Sequence, residues 1–458
     1  MESVSLPSVG ERGLSPISNV ISLGQADLLL KIRERRFTVG VVGLGRVGLP
    51  LAVAFSSRGI PVIGIDVDPN RIAAVNGYDF PFEEEGGAEA MMEAALRDTL
   101  RATHDTGQLV DADVVFITVA TNLGQEERPD YGQVRAAIST LARHLRRGQL
   151  IILRSTVGPT AIAEVEAALA EHTTLRLGED IFVVVAPERI LAGHALREIE
   201  RLPEIVGSAD EQSADLAIAV MRTLNPEKEV HVTGAVEASL AKLFNNTYRY
   251  VQFALANEFA LIAEQHGVDV REVLRVANGS YPRNGIPMPG PAGGPCLTKD
   301  GYLLVADWEH PDFIRSASRL NEFIPIHIVD RVERMLASRG HPMRGVNVGV
   351  LGMGFKADND DLRSSPSLVI IEELSRRGAI VAAADPYHRP LSLEQILREN
   401  QMVILATSHR EYITNDVLRI AAHVHPNVML FDCWGMWDPA LALELGVHLE
   451  ALGRGDAS

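Results

Sequence analysis

Cysteine is scarce in this sequence: Cys296 and Cys433 are its two cysteines among 458 residues. So few cysteines, so far apart, cannot build a disulfide framework, and no paired histidines accompany them at the spacing of a zinc site. The sequence therefore predicts two free thiols and no metal site.

Long hydrophobic runs are also missing. The longest apolar stretches, such as the one around 151–153, are far shorter than the roughly 18 residues that a membrane-spanning helix needs. The first residues include Glu2 and Glu11 and lack the basic head and apolar core of a secretory signal. We therefore expect no membrane segment and a cytoplasmic protein.

Basic side chains are in deficit. Lys and Arg number 43 against 60 Asp and Glu, which gives a formal net charge of −17. A protein that binds the phosphates of a nucleic acid needs a basic surface, so the composition argues against a nucleic-acid partner. Any anionic ligand would have to meet a local concentration of positive charge.

The order of apolar runs predicts the architecture. Residues 1–35 mix Ser, Gly, Pro and charged residues and are expected to form a loosely held tail. Over 36–232 strand-like runs alternate with helical stretches, and the alternation returns over 341–458. Both regions predict Rossmann-like, doubly wound α/β domains with parallel sheets. The strand-like runs of the first region are FTVGVVG, IPVIGID, DADVVFITVA, QLIILRST and DIFVVVAPE.

The middle region, 233–340, has a different pattern. Apolar residues recur every three or four positions from about 235 to 267 without proline, which predicts one long central helix joining the two α/β domains. The residues that can share one face of this helix are Leu240, Leu243, Phe244, Tyr248, Val251, Leu255 and Phe259. The following segment, YPRNGIPMPGPAGGPC, is too rich in Pro and Gly for a helix and predicts a shaped loop.

A glycine-rich turn follows the first predicted strand. Gly43, Gly45 and Gly48 lie in GLGRVG, where glycines permit a tight turn and let a pyrophosphate approach a helix N-terminus. The next strand ends in Asp66, whose carboxylate can accept hydrogen bonds from a ribose and repel a 2′-phosphate. Together these features predict binding of NAD rather than NADP. The alternative is that the glycines serve packing and that Asp66 is a solvated strand end.

Cys296 lies in GGPCLTKD, a segment of small residues that also contains Lys299 and Asp300. A thiol attacks a carbonyl as the thiolate, which a nearby cation favours, and a neighbouring carboxylate can shuttle protons. The segment alone is equally compatible with a packed Cys296 beside an exposed pair of Lys299 and Asp300.

Four polar residues elsewhere are further candidates. Lys242 and Asn246 lie four apart on the predicted long helix and project from one side of it, where an ammonium and an amide could stabilise an oxyanion. Thr156 and Glu188 follow predicted strands, at the edge where open α/β sheets bind ligands, and could hold a water. The alternatives are a surface lysine, a helix-face amide, a helix cap and a turn carboxylate.

Taken together, these motifs resemble the nucleotide-sugar 6-dehydrogenases, the family of UDP-glucose, UDP-N-acetylhexosamine and GDP-mannose dehydrogenases. The resemblance extends from about residue 41 to about residue 435. Its further marks are ADVVFITVAT, RSTVGPT, APERI, GMGFK and DDLRSSP. It implies that 36–232 binds NAD, that 233–340 is a helical dimerisation domain with the Cys loop, and that 341–458 binds the nucleotide sugar.

The same resemblance implies a four-electron oxidation of the sugar's C6 alcohol to a carboxylate with two NAD⁺. Cys296 would be the nucleophile and would trap the aldehyde as a thiohemiacetal, which becomes a thioester and is hydrolysed. The other catalytic positions would be Lys242, Asn246, Asp300, Glu188 and Thr156. Among them, Lys242 and Asn246 match positions that stabilise charge on oxygen, Asp300 one that assists proton transfer, and the last two match positions that order water.

Binding residues follow from the resemblance as well. Those on the cofactor side are Gly43, Gly45, Val47, Gly48, Asp66, Thr121, Thr156 and Arg363. Those on the substrate side are Glu188, Arg189, Lys242, Asn246, Arg283, Gly293, Phe355 and Lys356. The family's counterpart of Arg283 enters the substrate site of a partner subunit, which implies a homodimer built on the long helix.

Departures from the family pattern bear on the substrate. Ala192 stands where many UDP-glucose enzymes carry a second acid, and Leu297 where they often carry phenylalanine. The strings PERI, LPEIVG and YPRNGIPMPG are more similar to the branch that acts on UDP-N-acetylhexosamines. We therefore favour that substrate class, with UDP-glucose and GDP-mannose as alternatives.

Two other classes of function compete with this interpretation. One is a two-electron Rossmann dehydrogenase in which Cys296 is a bystander, and the other is a non-enzymatic nucleotide-binding protein. The joint presence of Cys296, Lys242, Asn246 and Asp300 argues against both.

Overall fold

The structure is a computed structural model that describes residues 23–281, 285–425 and 427–455. Two α/β domains flank a helical unit, as the sequence predicts. Within the described part of the chain, no helix is both long and apolar enough to cross a membrane.

The first domain is built on one large sheet. The strands of this part of the chain are β1 (Val39–Val42), β2 (Val62–Ile65), β3 (Leu100–Thr103), β4 (Val114–Ile117), β5 (Asn122–Leu123), β6 (Pro129–Asp130), β7 (Leu150–Leu153), β8 (Phe182–Val185), β9 (Glu204–Ser208) and β10 (Val230–Thr233). β5 and β6 pair as an antiparallel hairpin, and the others form an eight-stranded sheet in the order β10-β9-β8-β7-β4-β1-β2-β3.

The sheet is parallel with one exception. β9 runs antiparallel to β8, with Val184 opposite Ser208, which departs from the predicted all-parallel sheet. β9 pairs this way because the connection over 186–203 does not cross back over the sheet. That connection therefore stays at the carboxyl edge of β7 and β8, where open α/β sheets bind ligands.

Helices cover both faces of this sheet, each over a buried apolar core. They are α1 (Leu23–Arg33), α2 (Gly48–Ser56), α3 (Pro69–Asn76), α4 (Gly87–Arg97), α5 (Gly132–Ala142), α6 (Ala161–His172), α7 (Ala195–Arg201) and α8 (Glu211–Leu224).

α1 corrects the prediction of a loosely held tail over 1–35. Leu28 and Ile32 lie four apart on one side of α1 and are buried in the core of the first domain. The Nζ atom of Lys31 lies 3.3 Å from the Asp113 carboxylate. The prediction fails here because a short amphipathic run, set in a polar context, buries enough apolar surface to dock. Residues 1–22 lie outside the described residues.

The central unit is helical. Its helices are α9 (Ala235–Gln265), α10 (Val270–Asn278), α11 (Leu297–Leu304) and α12 (Asp312–Ser338). α9 is the predicted long helix, and the Pro- and Gly-rich segment before α11 is the predicted loop. The amide of Asn257 on α9 anchors this loop, because it donates to the Gly290 carbonyl (3.1 Å) and accepts from the Gly290 N–H (2.9 Å).

The predicted apolar face of α9 is divided between core and surface. Leu243 is fully buried, whereas Phe244, Tyr248 and Leu255 are exposed. α9 packs on α11 and α12 with a side formed largely by small and polar residues, among them Lys242. The larger apolar residues consequently line its outer side.

The C-terminal domain carries a second parallel sheet. Its strands are β11 (Asn347–Leu351), β12 (Ile380–Ala384), β13 (Met402–Leu405), β14 (Met429–Asp432) and β15 (His448–Ala451), in the order β12-β11-β13-β14-β15. Its helices are α13 (Pro366–Arg376), α14 (Leu393–Glu399), α15 (Asp416–Val424) and α16 (Pro439–Glu444). After β11 the chain turns at Gly352, whose φ is +89°, and the next N–H, that of Met353, donates to Asp385 at the end of β12 (2.7 Å).

Candidate active site

The glycine-rich turn has the backbone geometry of a phosphate-binding loop. Gly43 has a φ of +94°, and a Cβ on Gly48 would lie 1.9 Å from the Gly43 carbonyl oxygen, so both positions require glycine. A Cβ on Gly45 would meet no atom within 4 Å. The turn therefore leaves open space beside Gly45 at the start of α2, which fits the pyrophosphate of a dinucleotide.

Asp66 lies at the end of β2 and supports this turn. Its carboxylate accepts the N–H of Leu44 (2.7 Å) and that of Asp68 (2.9 Å). Sequence reasoning missed Thr118, whose hydroxyl donates to the Gly43 carbonyl (2.6 Å). Thr118 lies inside the predicted strand-like run DADVVFITVA, directly after the observed β4, so the sequence pattern gave no separate signal for it. Asp66 and Thr118 hold the turn in one shape without any ligand.

Cys296 is exposed and occupies the N-cap position of α11, where the helix dipole favours a negative charge. The glycines before it are packed against the C-terminal domain. A Cβ on Gly293 would lie 2.4 Å from Pro366, and one on Gly294 would lie 2.6 Å from the Phe355 ring. The thiol is thereby held where the central unit meets the C-terminal domain.

Asp300 brings several of the predicted residues together. It is fully buried, and its carboxylate accepts from the Asn246 amide (2.6 Å) and from the Lys299 ammonium (2.8 Å). Lys299 also donates to the Thr121 hydroxyl (3.2 Å). The alternative of an exposed Lys299–Asp300 pair is therefore wrong.

Arg363 contributes positive charge near the thiol. Its guanidinium pairs with Asp361 (2.7 Å). Burial opposes ionisation of Asp361, but the bonds from Arg363 outweigh it and lower the pKa of that carboxyl. The bond to Asp361 in turn raises the pKa of Arg363, and the negative charge of a Cys296 thiolate acts in the same direction. Arg363 thus lies within electrostatic reach of Cys296, and its place on the cofactor side stays a prediction.

Glu188 and Lys242 lie together in a buried group of charges. The Glu188 carboxylate accepts the Arg189 N–H (2.8 Å) and pairs with Arg154. Burial opposes ionisation of Glu188, but the charges of Arg154 and Lys242 hold its pKa below the usual range. The sequence did not predict the pairing of Glu188 with Arg154, and the structure shows Glu188 as a carboxylate held by this arginine.

Arg154 is the first residue of the motif RSTVGPT, and no role was predicted for it from the sequence. Its guanidinium bridges Glu188 and Glu204, with 2.8 Å between its Nη1 and the Glu204 carboxylate. Lys228 lies 4.0 Å from the same carboxylate. Arg154 stands at the end of β7, which was the only local signal of a role, and its two partners could not be read from spacing.

The remaining predicted residues come from the first and the C-terminal domains, except Arg283. Thr156 follows β7 and is half-buried, beside Ser155, whose hydroxyl donates to the Val119 carbonyl (2.6 Å). Lys356 reaches across from the C-terminal domain to the Ala192 carbonyl (3.3 Å), and burial lowers the pKa of its ammonium. Arg283 lies outside the described residues.

The comparisons with known proteins agree with this geometry. Three family models match in chain order, all of the UDP-glucose/GDP-mannose dehydrogenase family: its NAD binding domain at 37–225, its central domain at 236–322 and its UDP binding domain at 349–439. The chain belongs to this family. It is therefore an NAD-dependent nucleotide-sugar dehydrogenase, and the hypothesis of a non-enzymatic protein is wrong.

Individual members of the UDP-glucose/GDP-mannose dehydrogenase family are similar over most of their length. The UDP-N-acetyl-D-mannosamine dehydrogenase of Pyrococcus horikoshii is 35% identical over 423 residues, 91% of this chain and 99% of that protein. The NDP-N-acetyl-D-galactosaminuronic acid dehydrogenase of Ralstonia solanacearum is 31% identical over 87% of this chain and 96% of its own length. A solved structure of a UDP-D-ManNAc dehydrogenase from Pyrococcus horikoshii has a TM-score of 0.85 at 32% identity, covering 92% of this chain and all of that one.

Proposed function

We propose that the enzyme oxidises the C6 hydroxyl of a UDP-N-acetylhexosamine to a carboxylate in two NAD-dependent steps. The observation that carries the proposal is the exposed Cys296 thiol, one helical turn before buried Asp300, where the central unit meets the C-terminal domain. The substrate class is supported by the relatives, since both curated proteins described above are named for N-acetylated sugars.

The first domain supplies the cofactor side of the proposed reaction. Gly43, Gly45, Val47 and Gly48 shape the turn for the pyrophosphate, and Asp66 stands where a ribose hydroxyl would bind. Bound NAD⁺ supplies a hydride acceptor, once for the alcohol and once for the thiohemiacetal. Thr121 and Thr156 are the residues that we assign to the nicotinamide.

The thiol accounts for the second oxidation. The Cys296 thiolate adds to the aldehyde carbon and forms a C–S bond, while the aldehyde oxygen takes a proton. Loss of that proton with the second hydride leaves a thioester. Water then attacks the thioester carbon, the C–S bond breaks, and the products are a carboxylate and the regenerated thiol. An exposed thiol of this kind stays reduced in a cytoplasmic location, which we include in the proposal.

The surrounding residues have separate tasks in this scheme. Lys242 provides positive charge for the developing oxygen anion. Asn246 donates to Asp300 and fixes the direction of that carboxylate, which can pass protons through water. Because Arg154 keeps Glu188 ionised, Glu188 acts as a hydrogen-bond acceptor for water rather than as an acid.

The nucleotide sugar would be held mainly by the C-terminal domain. Lys356 offers a cation for the pyrophosphate, and the Phe355 ring lies against Gly294 beside the thiol loop. Gly293 of the central unit and Arg189 of the first domain are the residues that we assign to the nucleotide sugar from those two parts of the chain. This local positive charge compensates for the net charge of −17.

The proposed reaction is tested by counting products. Pure protein is incubated with NAD⁺ and a limiting amount of UDP-N-acetylmannosamine, UDP-N-acetylglucosamine, UDP-glucose or GDP-mannose. We expect two NADH for each N-acetylated sugar consumed, together with its uronate. One NADH per sugar would overturn the role of Cys296 and favour the two-electron dehydrogenase, and turnover of UDP-glucose or GDP-mannose alone would overturn the substrate class.

We also propose a homodimer built on α9. Phe244 (56% exposed) and Tyr248 (66%) continue into Leu255 and Ile262 as an apolar stripe, at spacings of four and seven residues, on the outer side of α9. Contiguous exposed apolar surface of this kind is typical of subunit interfaces. A second copy of the chain is the occupant that we propose for this stripe.

Tyr248→Arg is expected to convert the dimer to a monomer, because two copies would each bury an unpaired guanidinium in the proposed interface. Size-exclusion chromatography with light scattering measures the change at micromolar protein. Leu443→Arg is the matched control, since Leu443 is exposed on α16 in the C-terminal domain, and it should leave the mass unchanged. A dimeric Tyr248→Arg protein would place the interface elsewhere.

A further inference from the structure

An ion pair ties the glycine-rich turn of the first domain to the C-terminal domain. Arg46 lies in that turn, between Gly45 and Val47, and its guanidinium donates to both carboxylate oxygens of Asp360, at 2.7 and 2.8 Å. Asp360 belongs to the segment between β11 and α13. The turn assigned to the cofactor's pyrophosphate is therefore bonded directly to the domain that binds the nucleotide sugar.

The pair is well enclosed. The side chains of Arg46 and Asp360 are only 15% and 18% exposed. The Arg46 guanidinium also lies 4.6 Å from the centre of the Phe82 ring, and the Glu83 N–H donates to Asp360 (3.3 Å). A bidentate guanidinium–carboxylate pair with restricted access to water is stronger and more directional than an exposed one.

Asp360 lies close in sequence to two residues that we assign to the ligands. Asp360 lies four residues after Lys356, which we assign to the nucleotide sugar, and is followed by Asp361, which pairs with Arg363 beside the thiol. The Arg46 Nε atom is itself 3.5 Å from the Asp361 carboxylate. The pair thus connects the turn to one short, charged segment that carries both Lys356 and Arg363.

We propose that Arg46 and Asp360 form an interdomain clamp that couples occupation of the NAD site to occupation of the nucleotide-sugar site. The inference rests on the proposed placement of the two ligands. Both members are positioning residues, because they act on the ligands through the backbone segments that they hold. Closing the clamp orders the turn and the 356–363 segment together, so that either ligand makes the other bind more tightly.

The test measures this linkage without turnover. The Kd of NAD⁺ is determined by calorimetry in the absence and in the presence of saturating UDP, for wild type, Arg46→Gln and Asp360→Asn. For wild type we expect UDP to tighten NAD⁺ binding by about tenfold. In either variant the ratio should fall to about one, and the double variant should be no worse than the single ones, since the second change removes a partner already lost.

The controls separate a clamp from a merely stabilising ion pair. Arg135→Gln removes a guanidinium that pairs with Glu164 (3.0 Å) within the first domain, and it should leave the ratio unchanged. Arg46→Lys keeps the charge but not the bidentate bond, and it should retain an intermediate ratio. It also provides a folded protein to measure if Arg46→Gln proves unstable.

Two results would overturn the clamp. One is a wild-type protein in which UDP leaves the Kd of NAD⁺ unchanged, and the other is a ratio that persists undiminished in both single variants. Failure of the proposed reaction would look different, because wild type would then fail to give two NADH per sugar while the linkage between NAD⁺ and UDP remained measurable.

Discussion

Replacing Cys296 with serine is expected to lower uronate formation at least about a thousandfold, because a hydroxyl without a dedicated base is a far weaker nucleophile than a thiolate. Slow formation of aldehyde, with one NADH per sugar, should persist, since Lys242, Asn246 and the NAD site are untouched. Separation of the sugar products by anion-exchange chromatography, with NADH followed by absorbance, measures both steps.

The second thiol supplies the control for this experiment. Cys433 is fully buried at the end of β14, where burial raises its pKa well above the usual value, so it takes no part in the chemistry. Cys433→Ala should therefore retain two NADH per sugar, at some cost in stability from the small cavity. If Cys296→Ser still produced uronate at the normal rate, the nucleophile assignment would be wrong, and the aldehyde would have to reach the carboxylate without a bond to Cys296.

Arg154→Met is expected to destabilise the first domain by about 3–5 kcal/mol, because it removes the shared partner of two buried carboxylates. The Arg154 side chain is 1% exposed, and it bridges Glu188 and Glu204. The loss should be largest near neutral pH and should shrink as the pH falls toward about 4.5, since both glutamates can then be buried as neutral acids. Urea unfolding followed by circular dichroism at several pH values measures it.

An exposed ion pair gives the comparison for Arg154. Arg97 and Glu93 lie 3.8 Å apart on α4 with about half of each side chain exposed, and Arg97→Met should change stability by no more than about 0.5 kcal/mol. Adding Glu204→Gln to Arg154→Met should recover part of the lost stability, because one of the two orphaned charges disappears. Equal, small effects for Arg154→Met and Arg97→Met would show that the buried charges are solvated in a way that the structure does not suggest.

The predictable part of the fold is the part that is buried on both faces. The apolar runs that became β1, β2, β4, β7 and β8 are nearly continuous hydrophobic segments, which is how a central parallel strand is recognised. β3, β10 and β15 have exposed or half-exposed residues, and short edge strands of this kind leave no clear pattern. The packing of α1 on the first domain was not predicted for a similar reason, since it depends on two buried residues, Leu28 and Ile32.

Only some residues of the candidate site could be predicted from local sequence patterns. Residues placed by a local rule were predictable: the glycines of the turn, Asp66 at a strand end, and Lys242 with Asn246 on one side of a helix. Pairs between distant parts of the chain were not. Arg154 and Glu204 are 50 residues apart and Arg46 and Asp360 are 314 apart, and nothing in the local composition of either member identifies the other.

The hydrogen bond from Met353 to Asp385 makes the turn after β11 similar to the glycine-rich turn after β1, yet the two turns differ in the ligand that they can bind. Asp385 ends β12 as Asp66 ends β2, and each carboxylate supports a turn that begins with a glycine of positive φ. Asp385, however, is fully buried, and it also accepts from the Tyr387 N–H (3.0 Å) and from the His409 ring (3.2 Å).

Those additional bonds have a chemical consequence. They lower the pKa of Asp385 to about 2 against the effect of burial, and because the carboxylate is fully buried it offers no accessible acceptor to the hydroxyls of an adenosine ribose. Asp66 keeps part of its surface open to solvent. Two similar folds can thus serve two different nucleotides in one molecule, because the carboxylate after β12 is buried and bonded within the protein, whereas the carboxylate after β2 is partly open.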